Sequence, residues 1–309
     1  MKNGSVLVIG SLNMDLVAQV GSMPRRGETI LGHSFAAMMG GKGSNQAVAA
    51  ARLGSQVALI GCLGSDEFGE SMQAVLRQER IETGGISQVE NVPSGAALVC
   101  VDPDGDNSIV VVPGANSHLT ARDIDRHADL FQACDVVVLQ MEIPVETVVY
   151  SMAEAKRLGK TVILNLAPSR RMPVEALRHV DYLVVNEVEA EELTGVSINQ
   201  FDRLVEGLAG LPCRHVILTL GAEGVAYLAD GRVLRLPAYR VQAVDTTGAG
   251  DSFVGAFASR LARGDEAEEA VAYAVKVAAI TVTRLGAQAA LPTEEEIRQF
   301  EQVWGVEQP

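Results

Sequence analysis

Apolar and polar positions along the chain follow two periods. Short continuous apolar runs at Val6–Gly10, Val57–Gly61, Val136–Gln140, Thr161–Asn165, Tyr182–Asn186 and Val216–Leu220 have the length and β-branched content of strands buried on both faces. Between them, Phe68–Gln78, Val145–Leu158 and Val188–Leu193 carry apolar residues at three- and four-residue steps, the helical period. Strands alternating with helices predict an α/β chain with a mostly parallel sheet covered on both faces. Two segments break the alternation. Leu16–Met39 reads as short strands and turns, and two apolar runs, Gly95–Asp102 and Ser108–Val112, flank the turn Pro103–Asn107 as in a hairpin. These segments form either a separate small sheet or an edge extension of the main one.

One stretch, Val241–Gly264, stands out. It reads as a strand end at Val241–Val244, a turn at Asp245-Thr-Thr-Gly-Ala-Gly250, and a helix from Asp251 that Gly264 ends. A glycine turn leading into a helix suits an anion, because the first helical N–H groups are unpaired and carry a partial positive charge. Asp251 is odd beside an anion. Either it caps the helix, or it is a general base that takes a proton from a hydroxyl attacking phosphorus. Ligands of open α/β sheets bind beyond the carboxyl ends of the strands. The polar residues that close the apolar runs therefore form candidate groups: Gln140 with Glu142, Asn165, Asn186 with Glu189, and Thr219 with Gly221. Asn186 and Glu189 also have the spacing of a helix capping box. Asn13 and Asp15, two apart after the first run, face one side if extended and otherwise make local turn bonds.

Composition narrows the classes. The 309 residues carry 39 Asp and Glu against 25 Lys and Arg, a net charge of −14. That balance opposes non-specific binding to nucleic acid or anionic membranes, so an anionic ligand must be held by local donors and a metal. No apolar run has the length of a membrane span, and the first residues lack a signal-peptide pattern. The four cysteines, Cys62, Cys100, Cys134 and Cys213, form no CxxC pair. Reduced thiols in a cytoplasmic protein are expected.

The loop Gly40-Gly-Lys-Gly-Ser-Asn45 is neither a Walker A loop nor a dinucleotide fingerprint, since the required glycine and lysine spacings are missing. A dinucleotide-dependent dehydrogenase is accordingly disfavoured. Lys42 reads as a solvated charge or as a sugar or phosphate contact. Together, Gly40-Gly-Lys-Gly-Ser-Asn45-Gln-Ala47 with Gly54 and Gly64, and Asp245-Thr-Thr-Gly-Ala-Gly-Asp251, resemble the N- and C-terminal signatures of the ribokinase-like (phosphofructokinase-B type) carbohydrate kinases. The resemblance runs from about Val6 to Pro292.

That resemblance implies a single ribokinase-like domain over residues 1–309, a three-layer α/β/α sandwich with a small β-sheet lid from about residues 12–39 and 94–113. It implies an ATP-dependent sugar kinase acting on the 5-hydroxyl of D-ribose, with 2-deoxyribose, other sugars and nucleosides as alternatives, or a catalytically silent sugar-binding regulator. Asp251 would be the base. Asn13, Asp15, Gly41, Lys42, Asn45, Glu142 and Asp251 would meet the sugar. Asn186, Glu189, Thr219, Gly221, Gly224, Gly248, Ala249 and Gly250 would meet the nucleotide, with Glu189 orienting the waters of Mg²⁺. A monovalent cation, K⁺, would sit among Asp245, Thr247, Thr281, Arg284 and Gly286, mainly on main-chain carbonyls. Ala290 stands where such kinases often have serine, and Val275 cannot make the polar adenine contact often found there. The lid would also join two copies into a homodimer.

Overall fold

The structure, a computed structural model, describes residues 4–103 and 106–304. Asp104 and Gly105 of the expected Pro103–Asn107 turn lie outside the described residues, as does the chain start up to residue 3. The first half runs β1 (Ser5–Ile9), β2 (Asn13–Val20), β3 (Gly32–Gly40), α1 (Lys42–Arg52), β4 (Gln56–Gly64), α2 (Glu67–Gln78), β5 (Ile86–Val89), β6 (Gly95–Val101), β7 (Asn107–Val112), α3 (Ala121–Arg126), α4 (Ala128–Ala133) and β8 (Val136–Leu139). It continues through α5 (Val145–Arg157), β9 (Thr161–Asn165), β10 (Tyr182–Asn186), α6 (Glu187–Thr194), α7 (Phe201–Ala209) and β11 (His215–Thr219). Last come β12 (Val225–Ala229), β13 (Arg232–Leu236), α8 (Ala249–Arg263), α9 (Ala267–Thr281) and α10 (Glu294–Trp304).

Among the described residues the main sheet has nine strands in the order β13-β12-β11-β10-β9-β8-β1-β4-β5. Pairing is parallel from β11 through β5, and β12 and β13 add an antiparallel edge. Period-two alternation splits each central strand between two cores. Val6 and Val8 pack with α1, α8 and α9 residues such as Val48, Phe257 and Val277, while Leu7 and Ile9 pack with Phe131, Val148 and Leu204 on the other face. The result is the expected three-layer sandwich.

Residues 13–40 and 95–112 leave the main sheet and build a second one, ordered β3-β2-β6-β7. Its β2–β6 pairing is parallel and the other two are antiparallel. Register puts Asp15 beside Met38 and Ala97, and Ala97 beside Val111. Much of this sheet is bare: Phe35 is 69% exposed and Val110 59%.

The expected strand at Val241–Val244 is absent, and the main sheet instead ends on the β12–β13 pair, outside the runs read as strands although β12 is itself apolar and buried. The physical reason is a competing partner. The N–H groups of Val244 and Asp245 both donate to the Val282 carbonyl beyond α9, at 2.7 and 3.2 Å. The acidic run at Glu294 does open a helix, with Thr293 and Glu296 capping reciprocally through Thr293 N–H to Glu296 Oε2 at 2.7 Å.

Candidate active site

The site begins where β1 ends. Ser11 Oγ donates to Glu142 Oε2 at 2.5 Å, and the same oxygen accepts from the Lys42 N–H at 3.1 Å and Asn13 Nδ2 at 3.4 Å. Arg170 Nη1 donates to the carbonyls of Met141 and Ile143, which fixes the turn presenting Glu142. Gly41 has φ +92, and a Cβ there would lie 2.7 Å from the Asn13 nitrogen. Its missing side chain therefore lets the loop lie on the chain's own backbone at Ser11–Asn13. Asn116 clamps the same place from behind. Its Oδ1 accepts from the Leu12 N–H at 2.9 Å and its Nδ2 donates to the Leu12 carbonyl and Asn13 Oδ1.

The helices α1 and α8 bring the two signatures together. Asn45 Nδ2 donates to Asp251 Oδ2 at 2.9 Å, and Gln46 Nε2 to Asp251 Oδ1 at 3.0 Å. Asp251 is buried, at 7% exposure. It does not cap its helix: Gly248 is the N-cap residue, with no side-chain cap bond, and both carboxylate oxygens face α1 amides. Among the described residues nothing accepts from the N–H groups of Gly250 and Asp251. Gly250 is exposed with no atom within 4 Å of a would-be Cβ, so an anion can approach this helix end.

The electrostatics are those of crowded acids around one cation. Burial, with Glu142 and Asp251 nearby, raises Asp15 from 3.8 to about 7. Burial also pushes Glu189 up, against the capping hydrogen bond to Asn186 and the pull of Lys42. For Lys42 burial alone would lower the ammonium's pKa, but Asp251, Glu142 and Glu189 outweigh it and hold it above its ordinary value. Lys42 thus lies within the field of three acidic candidates, which is not the setting of a solvated loop charge.

The remaining candidates fall at strand ends. Asn186 and Glu189 make the full capping box at the start of α6, at 2.9 and 2.8 Å. Thr219 is the register partner of Asn186, and its Oγ1 donates to the Val185 carbonyl at 3.3 Å. Gly221 is exposed at φ +52, whereas Gly224 is buried against the main chain at Leu236. Asp245 Oδ1 accepts from the Thr247 N–H at 2.9 Å and its Oδ2 from the Gly286 N–H at 2.8 Å. Burial alone would raise its pKa, yet these bonds hold it below the usual value. The side chains of Thr281 and Arg284 are committed elsewhere, to the Val277 carbonyl at 2.9 Å and to Glu296 at 2.7 Å. Only their main-chain carbonyls could meet an ion. Among the described residues no group of three or more His, Cys, Asp or Glu is placed to hold a metal.

Several site residues carried little sequence signal. Gln46 and Gln288 look like ordinary polar positions in or near helices, and Ser11 like a linker residue after the first strand. Gln288 Nε2 donates to Asn45 Oδ1 at 3.1 Å, so it reaches Asp251 at second hand. The hints for Gln46 are its adjacency to Asn45 and its place inside the N-terminal signature.

The profile of the pfkB family carbohydrate kinases matches residues 3–294. A ribokinase of Bacillus subtilis is 40% identical, covering 96% of this chain and 99% of the relative. A deoxyribokinase of Salmonella typhi is 36% identical, over 96% and 98%. The structure of Arabidopsis thaliana ribokinase complexed with ribose and ATP superposes with a TM-score of 0.89 at 30% identity, covering 96% of this chain and 98% of that one. The chain belongs to the pfkB family of carbohydrate kinases.

Proposed function

We propose that this chain is an ATP-dependent ribokinase that transfers the γ-phosphoryl group to the 5-hydroxyl of D-ribose. The observation that carries the reading is the position of Asp251: buried, held by two α1 amides, and in the first turn of a helix where, among the described residues, the Gly250 and Asp251 N–H groups have no acceptor. Asp251 takes the proton of the attacking hydroxyl. The Gly250 and Asp251 N–H groups and Lys42 receive the charge that develops on the phosphoryl oxygens. Asn13, Asp15 and Glu142 read the sugar hydroxyls, with Gly41 contributing main chain and Asn45 serving both sugar and base.

Nucleotide contacts fall to Asn186, Thr219, Gly221, Gly224, Gly248 and Ala249 at the strand ends and the α8 turn. The residues present fit two ions. Buried Glu189 at the start of α6 would suit a hydrated Mg²⁺, and Asp245, whose carboxylate is bonded to the Thr247 and Gly286 N–H groups, would hold K⁺ together with main-chain carbonyls drawn from Thr247, Thr281, Arg284 and Gly286. Bound there, they neutralise phosphate charge and polarise the α8 turn. The small sheet is read as a lid that excludes water as a competing acceptor, and its bare apolar residues support a homodimer through it. The free thiols of buried Cys62 and Cys134 suit the cytoplasm. Among the described residues no helix is long and apolar enough to cross a membrane.

The test is phosphorylation of ribose, 2-deoxyribose, fructose and adenosine with ATP, followed as ADP release. Ribose is expected to give the highest kcat/KM. A preference for 2-deoxyribose would move the chain to the deoxyribokinase reading, and no sugar-dependent ADP release would make it a silent binder. In the same assay K⁺ is expected to stimulate turnover, and Asp245→Ala to abolish the stimulation with little change in the sugar KM. An equal K⁺ response in Asp245→Ala would remove the cation assignment.

Asp15 gives a pH signature. Its folded value is raised, so between about 4 and 7 the unfolded chain is ionised while the folded site stays protonated, and stability falls as pH rises through that window. A carboxylate accepts sugar hydroxyls, so binding improves as pH rises through about 7. The expected kcat/KM profile for the sugar bends near pH 7, and the bend disappears in Asp15→Asn. A wild-type profile without that bend would count against Asp15 as the sugar-reading acid.

A further inference from the structure

We infer that Gln46 is a positioning residue for the transfer step, fixing the orientation of the Asp251 carboxylate; this rests on Asp251 being the base. Gln46 is fully buried on α1. Its Nε2 has two hydrogens, and both are committed: one to Asp251 Oδ1 and one to Asn165 Oδ1, each at 3.0 Å. Its Oε1 accepts from Gln140 Nε2 at 2.6 Å. The direction of this chain of bonds is set from the main chain. Asn165 Nδ2 donates to the Val184 carbonyl at 3.3 Å, which leaves Asn165 Oδ1 turned toward Gln46. A flipped Gln46 amide would place its oxygen against two other oxygens, one of them on a carboxylate.

The tail of the chain shows what the arrangement costs. Gln140 Oε1 is buried without a hydrogen-bond partner among the described residues, pressed into space that only a glycine at position 10 leaves open. A buried unpaired acceptor lowers stability, and it is tolerated here with the Gln140 amide aimed at Gln46. The chemical consequence concerns the proton. Asp251 receives one amide hydrogen on each oxygen, Oδ2 from Asn45 and Oδ1 from Gln46. Amide N–H groups cannot accept a proton. The proton that leaves the sugar hydroxyl as the new O–P bond forms and the bond to the departing nucleotide breaks therefore stays on a substrate-facing lone pair of Asp251. It departs by that same side, and the carboxylate plane stays aligned with the attacking oxygen.

The experiment compares Gln46→Met, Gln46→Glu and Asp251→Asn with the double variant Gln46→Met/Asp251→Asn, reading kcat, both KM values and thermal unfolding. Gln46→Met, similar in size but without a donor, is expected to lower kcat about 10- to 100-fold with the ATP KM unchanged, the scale for a misplaced reacting group. Gln46→Glu keeps the shape but sets an acid against Asp251, and is expected to lose at least as much. In the Asp251→Asn background Gln46→Met is expected to lower kcat no further, because its effect passes through that carboxylate. Wild-type kcat in Gln46→Met, recovery in Gln46→Glu, or full additivity in the double variant would each overturn the positioning role. Near-native turnover in Asp251→Asn alone would instead sink the base assignment beneath it.

Discussion

Asp251→Asn is expected to fold and to lose turnover by about 10³- to 10⁴-fold, the upper range for removing a general base. The substitution keeps shape and burial, so the ATP KM should barely move. It does not leave the neighbourhood content. Asn45 Nδ2 and Gln46 Nε2 both point hydrogens at the present carboxylate, and an asparagine amide must turn its own donor toward one of them. That mismatch is expected to cost about 1–3 kcal/mol of stability, which a denaturant titration will register while circular dichroism stays native. Steady-state ADP release with saturating sugar decides the matter, and a variant within a few fold of wild type would remove Asp251 from the chemistry.

The second large effect is expected behind the base, at Gly255→Val. Gly255 sits one turn past Asp251 on α8, where that helix crosses α1. A Cβ on it would lie 2.5 Å from Ala49 Cβ and 2.7 Å from the Gln46 carbonyl oxygen. The close approach sets how near Asp251 comes to Asn45 and Gln46. Forcing the helices apart is expected to destabilise the fold by about 3 kcal/mol, the cost of an overpacked core. It should also lower kcat of the folded fraction about 10²-fold, since the base moves relative to its amides. Unfolding midpoints and kcat measured well below the midpoint separate the two effects. Wild-type values for both would show that the helix spacing is set elsewhere.

Much of the architecture was readable because its signals are local. The runs Val6–Gly10, Tyr182–Asn186 and Val216–Leu220 are apolar on both faces, and only a sheet covered twice buries both. The glycine punctuation around Asn45 and Asp251 likewise pointed to one site, and α1 and α8 do bring them within hydrogen-bond distance. What stayed hidden depends on tertiary partners. Val241–Val244 has strand-like composition but gives its N–H bonds to a helix end. β13 carries two arginines among its apolar residues because it forms the edge, whereas β12 beside it is apolar and buried. Gln46 and Gln288 have no pattern of their own, since a buried amide is defined by what it faces. The need for glycine at position 41 also depends on tertiary partners, as a Cβ there would meet the backbone of Ser11–Asn13.

Asn13 and Asp15 belong to β2 of the small sheet, whereas Asp251, Lys42 and the free helix N–H groups belong to the body. On the proposed reading, part of the sugar contact thereby sits on a piece of polypeptide separate from the one that holds Asp251, while Glu142 and Asn45 meet the sugar from the body. Such a division makes the fold easy to diversify: edits confined to the outer strands can trade one sugar for another while the inherited transfer apparatus is left intact. Kinases for neighbouring sugars, on this view, differ first in those strands and only later in the body.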